Sequence, residues 1–147
     1  MVYINDEEKS ILFKMLPQVP LFSGLKRQQI NSVANSFARA RSYRPGDLIE
    51  KEGDRAVVFY LITDGNVEVR RGKKMLSKLG RGQFFGEMAL IDKQTRSATI
   101  VAGDEGTKCL LMPIWDFKAA LKTDPKLAIG VMRELARRLR DATTALA

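Results

Sequence analysis

The chain has 147 residues, 45% hydrophobic and 29% charged, the balance of one soluble globular domain with a real core. It carries a formal charge of +8, no histidine and one cysteine. Histidine-based catalytic dyads and triads, most zinc sites and an internal disulfide are thereby excluded, and the lone thiol fits a reducing, cytoplasmic setting. No apolar run approaches the ~20 residues of a bilayer crossing, and Met1 to Glu8 lack the basic-then-apolar pattern of a signal peptide.

In chain order, the first element is a helix capped by Asp6, with Ile11, Leu12, Met15 and Leu16 as its apolar stripe and Pro17 as its stop. The run 20–25 is a turn. A second helix follows from Lys26 to Phe37, with Ile30, Val33, Ala34 and Phe37 at helical spacing. From Ala38 onward, short β-prone runs alternate with glycine turns. The spacing predicts strands over 40–43, 48–51, 57–63, 67–71, 75–79, 97–102 and 108–112. Turns are expected at 45–47, 52–54, 64–66, 71–73, 80–82 and 103–106. Residues 87–91 read as a short helical insert. Ile114 to Lys122 is a short helix, with Trp115 and Phe117 expected as core anchors. Asp124 and Pro125 then supply an N-cap and first-turn proline for a final helix towards Leu146. Cys109 is expected as a buried inert thiol and Met132 as a core filler.

These elements predict a mainly β fold: an antiparallel, jelly-roll-like β-roll with N-terminal helices, a short helix within it and two C-terminal helices. The chain divides as one domain, with helices over 1–37, the roll over 38–112 and helices over 113–147. The positive residues are scattered. Arg70, Arg71, Lys73 and Lys74 flank Gly72 as a hairpin tip, Arg39, Arg41 and Arg44 form a second group, and Arg137, Arg138 and Arg140 a third. With no aromatics interleaved, they read as solvated turns and helix faces rather than a nucleic-acid footprint.

The residues richest in chemistry are Phe85-Gly86-Glu87-Met88-Ala89-Leu90-Ile91, followed after a short loop by Arg96-Ser97-Ala98-Thr99. Gly86 permits a turn that side chains resist. The helix start after it offers free amides, a natural anion cradle. Arg96 adds a planar cationic fork, and Ser97 one hydroxyl. Taken one by one, the glycine and glutamate could be a surface turn, and Arg96 a strand-end charge paired with Asp92. As an ordered set they resemble the phosphate-binding cassette of the cyclic nucleotide-binding domain family, which includes catabolite activators, protein kinase regulatory subunits and nucleotide-gated channels. Two departures stand out: Thr95 replaces a common proline, and the 92–95 loop is slightly short.

The resemblance implies a non-enzymatic sensor. Gly86, Ala89, Arg96 and Ser97 would hold the cyclic phosphate, and Glu87 would accept the ribose 2′-hydroxyl. Val69, Leu76 and Met88 match apolar positions of the purine wall and are equally expected as plain core. Thr143 and Thr144 lie where relatives place a base-contacting residue. Ser97 is compatible with adenine, which favours cAMP over cGMP. In the family the last helix closes over the nucleotide and passes the signal to an effector. Here Ala128, Met132, Leu135, Leu139, Ala142 and Leu146 form a heptad seam suited to a homodimer, while Leu127 and Val131 offer a second face for packing on the chain itself. Met1 suits a complete chain, with a fragment of a longer protein as the alternative. An adaptor that kept the fold without nucleotide response, or the sensor part of a transcription regulator, are the alternative expectations.

Overall fold

The computed structural model describes residues 2–55, 57–86 and 96–146. The chain opens with β1 (Val2–Tyr3) and α1 (Asp6–Met15), then single 3-10 turns at Leu16–Gln18 and Pro20–Phe22, and α2 (Arg27–Asn35). The roll is built from β2 (Arg39–Tyr43), β3 (Leu48–Glu50), β4 (Val58–Arg71), β5 (Lys74–Gly80), β6 (Phe84–Phe85) and β7 (Thr99–Pro113). It closes with α3 (Ile114–Thr123) and α4 (Pro125–Leu146).

Among the described residues the strands form one antiparallel sheet in the order β1-β2-β7-β4-β5, with β3 added to β7 and β6 added to β4. This is the β-roll with flanking helices that the glycine punctuation predicts. Two expected turns turn out to lie inside strands. The runs 57–63 and 67–71 join as β4, and 97–102 and 108–112 join as β7. Both strands bend rather than stop, at Gly65 and Gly106, each with φ +74°. A Cβ on Gly65 would collide with the Gly106 carbonyl, so the bends touch where the long strands pass. The Gly72 hairpin tip is as expected, with Arg71 opposite Lys74.

Period-two alternation along β4 and β7 feeds two cores from one wall. Phe59 and Leu61 of β4 and Leu110 and Met112 of β7 join Leu12, Leu16, Phe22, Val33 and Phe117 beneath the helices. Tyr60, Ile62, Cys109 and Leu111, from the opposite face, join Tyr43, Val67, Phe85 and Ile100 inside the roll. Phe59 is the hub of the first cluster, with its ring centroid 5.9 Å from Phe22, 5.8 Å from Phe37 and 5.6 Å from Phe84.

The helices are fixed by local caps. Asn5, not Asp6, caps α1. Its side chain accepts from the Glu8 amide at 2.8 Å, and Glu8 accepts in return from the Asn5 amide at 3.0 Å. Asp6 is thus the first helical residue. The other Glu8 oxygen reaches Lys108 of β7 at 3.0 Å, tying α1 to the roll. Asp124 caps α4 as expected, accepting from the amides of Lys126 (3.1 Å) and Leu127 (3.3 Å).

Phe117 is fully buried, but Trp115 is 61% exposed, because α3 turns that side away from the roll. Met132 is 58% exposed rather than core. The face of α4 that packs on the chain carries Leu127 and Val131, which leaves the seam residues Met132 and Leu139 outward, while Leu135 is half-buried. No described helix is long and apolar enough to cross a membrane.

Candidate functional site

The site begins where β6 leaves β4. Tyr60 pairs with Phe85 across these strands, and their rings stack at 4.5 Å with 13° between planes. That stack fixes where Gly86 emerges. Gly86 has φ +84°, a conformation L side chains resist. A Cβ there would also lie 2.7 Å from both the Val58 carbonyl oxygen and Nη1 of Arg96. Two independent constraints therefore demand glycine, and the second shows that the guanidinium of Arg96 sits against the Gly86 backbone.

Arg96 is held at its backbone by the turn before β4. Its amide donates to the Asp54 carbonyl at 2.7 Å, and its carbonyl accepts from the Gly53 amide at 3.0 Å. The side chain runs inward and the residue is only 9% exposed. Nη2 donates to the Val58 carbonyl at 2.6 Å and to Oε1 of Glu50 at 3.2 Å. The guanidinium carbon lies 5.9 Å from the Tyr60 ring centroid. Nε is buried and has no hydrogen-bond partner among the described residues. Among the described residues this buried cation is therefore paired with one carboxylate and keeps one idle donor.

Glu50 completes the cluster. Its side chain is 13% exposed, and besides Arg96 it accepts a hydrogen bond from the Tyr60 hydroxyl. Burial, and then Glu50 itself, push the Tyr60 phenol well above its usual value, so it stays a donor. Burial likewise pushes Tyr43 up to about 12 and the Cys109 thiol up to about 12, which makes Cys109 the inert buried thiol expected.

The remaining predicted positions fall as follows. Glu87, Met88 and Ala89 lie outside the described residues, as do the expected 87–91 insert and Asp92. Ser97 is exposed, and its carbonyl accepts from Nε of Arg71 at 3.2 Å. Val69 is half-buried against the inner cluster, while Leu76 is exposed on β5. Thr143 is exposed on α4, its hydroxyl turned back to the Leu139 carbonyl at 2.9 Å. The structure thus brings Gly86 and Arg96 together. Sequence reasoning missed Glu50 and Tyr60. Their signal is faint, a lone acid in the β-run 48–51 and a tyrosine in an apolar run, since only pairing through β4 and β7 makes them neighbours of Arg96.

The family model of the cyclic nucleotide-binding domain matches residues 40–124, from β2 through the cap of α4. The chain belongs to the cyclic nucleotide-binding domain family. Among curated relatives, the cyclic AMP receptor protein of Thermus thermophilus is 36% identical over 128 residues, 84% of this chain and 58% of that protein. The cAMP-dependent protein kinase regulatory subunit of Mycosarcoma maydis is 33% identical over 102 residues, 67% of this chain and 19% of that one. This cyclic nucleotide-binding domain therefore spans less than two thirds of either relative. Among solved structures, the N-terminal domain of a transcriptional regulator from Streptomyces coelicolor superposes with a TM-score of 0.81 at 30% identity, covering 90% of this chain and 95% of that one. The catabolite activator protein of Thermus thermophilus gives 0.70 at 36% identity, covering 86% and 61%.

Proposed function

We propose that this chain is a non-enzymatic cytoplasmic sensor that binds cAMP, with cGMP as second candidate, at the corner where Gly86 meets Arg96. The observation that carries this is a guanidinium nine-tenths buried and seated on a glycine turn, with Nε unpartnered among the described residues. A cyclic phosphate is a monoanion of the right size for that fork. Arg96 and Gly86 supply the phosphate contacts, joined by Ser97 and Ala89, and Glu87 takes the ribose 2′-hydroxyl. Val69, Leu76, Met88 and Thr143 would line or cover the purine. The relatives named for cyclic AMP support the choice of nucleotide.

Occupancy would act by biasing α3 and α4, and this requires the nucleotide to prefer one arrangement over the other. The outward seam of α4, with Met132 and Leu139, is the surface offered to a second copy or an effector. A second reading, the sensor part of a transcription regulator, is favoured by the likeness to a regulator's N-terminal domain.

Calorimetry tests the first reading. Arg96→Ala should weaken cAMP binding by ~2–5 kcal/mol, about 30-fold to a few thousand-fold. Unchanged affinity in a folded variant would refute the phosphate assignment. Glu87→Gln should erode discrimination against 2′-deoxy-cAMP, and equal loss for both ligands would count against its ribose role.

A further inference from the structure

The Arg96 guanidinium is not waiting with its charge exposed. Its Nη2 already faces the Glu50 carboxylate at 3.2 Å, and both side chains are mostly buried. Glu50 is in turn fixed by the Tyr60 hydroxyl, and Tyr60 by its stack on Phe85. The carboxylate therefore cannot swing away without breaking a second hydrogen bond. Any anion that takes the remaining edge of the guanidinium must settle within a few ångströms of a fixed negative charge.

We infer that Glu50 is a charge filter for this site, admitting singly charged cyclic phosphates and rejecting doubly charged phosphomonoesters. This rests on the reading of Arg96 as the phosphate-binding group. Repulsion from Glu50 scales with the charge of the incoming group, and in a partly buried setting two unit charges ~7 Å apart still repel strongly. A cyclic phosphate carries one charge, whereas a 5′-monophosphate carries ~1.5–2 near neutral pH. The same carboxylate thus weakens binding of both ligands but weakens the monoester about twice as much on a logarithmic scale. Glu50 would keep an abundant class of cellular nucleotides out of the corner by charge, independently of shape.

The experiment is calorimetry of cAMP and AMP against the wild-type chain, Glu50→Gln and Arg96→Ala. Glutamine keeps the volume of Glu50 and an oxygen for the Tyr60 hydroxyl. The expected result is that Glu50→Gln binds cAMP ~10-fold tighter and AMP ~100-fold tighter, the Coulomb repulsion being relieved once and twice over. Equal gains for the two ligands, or a loss of cAMP affinity, would overturn the filter and leave Glu50 as a residue that merely orients Arg96. A wild-type comparison stands whether or not Glu50→Gln folds. Adenosine 5′-(methyl phosphate), a singly charged open-chain ester, should bind ~10-fold or more tighter than AMP despite its extra bulk, and AMP binding as tightly as the ester would sink the inference. Failure of the underlying reading looks different: wild type and Arg96→Ala would then respond identically to cAMP.

Discussion

The two clusters on either side of the β4–β7 wall are built from adjacent residues of the same strands, yet they differ in kind. Beneath the helices the wall presents Phe59, Leu61, Leu110 and Met112 to an all-apolar set closed over by α1, α2, α3 and the start of α4. One residue along, it presents Tyr60, Ile62, Cys109 and Leu111 to a cluster that also holds Tyr43 and borders Glu50 and Arg96. The first can be sealed because nothing in it needs water. The second keeps an ion pair at its edge, where Glu50 accepts from both the Tyr60 hydroxyl and Nη2 of Arg96, and Nη2 also donates to the Val58 carbonyl. A single residue of register thus separates an all-apolar face from one that borders a buried ion pair.

The sharpest way to break this division is Phe59→Ala. It empties the hub between Phe22, Phe37 and Phe84 and should lower stability by ~3–5 kcal/mol, read from denaturant midpoints, with the Tyr60–Phe85 stack untouched. On the other face, Tyr60→Phe keeps that stack and deletes one hydroxyl. Since the lost bond is to a carboxylate, the expected fall is ~1.5–3 kcal/mol. A smaller value would mean that water replaces the hydroxyl.

Alkaline pH separates the faces without mutation. Cys109 and Tyr43 are each pushed up to about 12, and Tyr60 is raised as well, all by burial on the inner side. The folded chain keeps these protons longer than the unfolded chain does. Their contribution is intact below about pH 9 and is lost as pH climbs towards 12, at about 1.4 kcal/mol per pH unit per group. Flat denaturation midpoints from pH 8 to 11 would show that this cluster is open to water. The smallest effect is expected at the outer seam. Leu139→Lys, at a residue 69% exposed, should change monomer stability by less than about 0.5 kcal/mol, and sedimentation would show whether it removes self-association.

Much of this was legible in the chain because it is local. The Asp124-Pro125 start of α4, the Gly72 hairpin tip and the Leu127–Val131 packing face each follow from neighbours within a few positions. The joining of two runs into β4, and of two into β7, was not, since Gly65 and Gly106 carry the same signal whether a strand ends or bends. Their collision-close approach depends on residues 41 positions apart. Trp115 and Met132 misled because their residue types imply burial, whereas the facing of their helices is set by which side meets the roll. At the site, Gly86 and Arg96 could be picked out by type and order. Glu50 could not, because 46 positions separate it from the arginine it pairs with.

Among the described side chains, the apolar hold on α4 falls in its first half. Leu127, Val131 and Leu135 rest on the outer core, and Gly130 lets Leu25 approach so closely that a Cβ would lie 2.6 Å from its Cδ2. Past Leu135 roughly 16 Å of helix continues, with Leu139, Arg140, Asp141, Thr143 and Thr144 all in solvent. Such a rod would act as a lever if it pivoted at the Gly130–Leu25 notch. A tilt of about 10° at that notch would sweep the tip, roughly 24 Å away by the rise of the helix, through roughly 4 Å, so a slight shift of the 20–25 turn would be magnified at the far end.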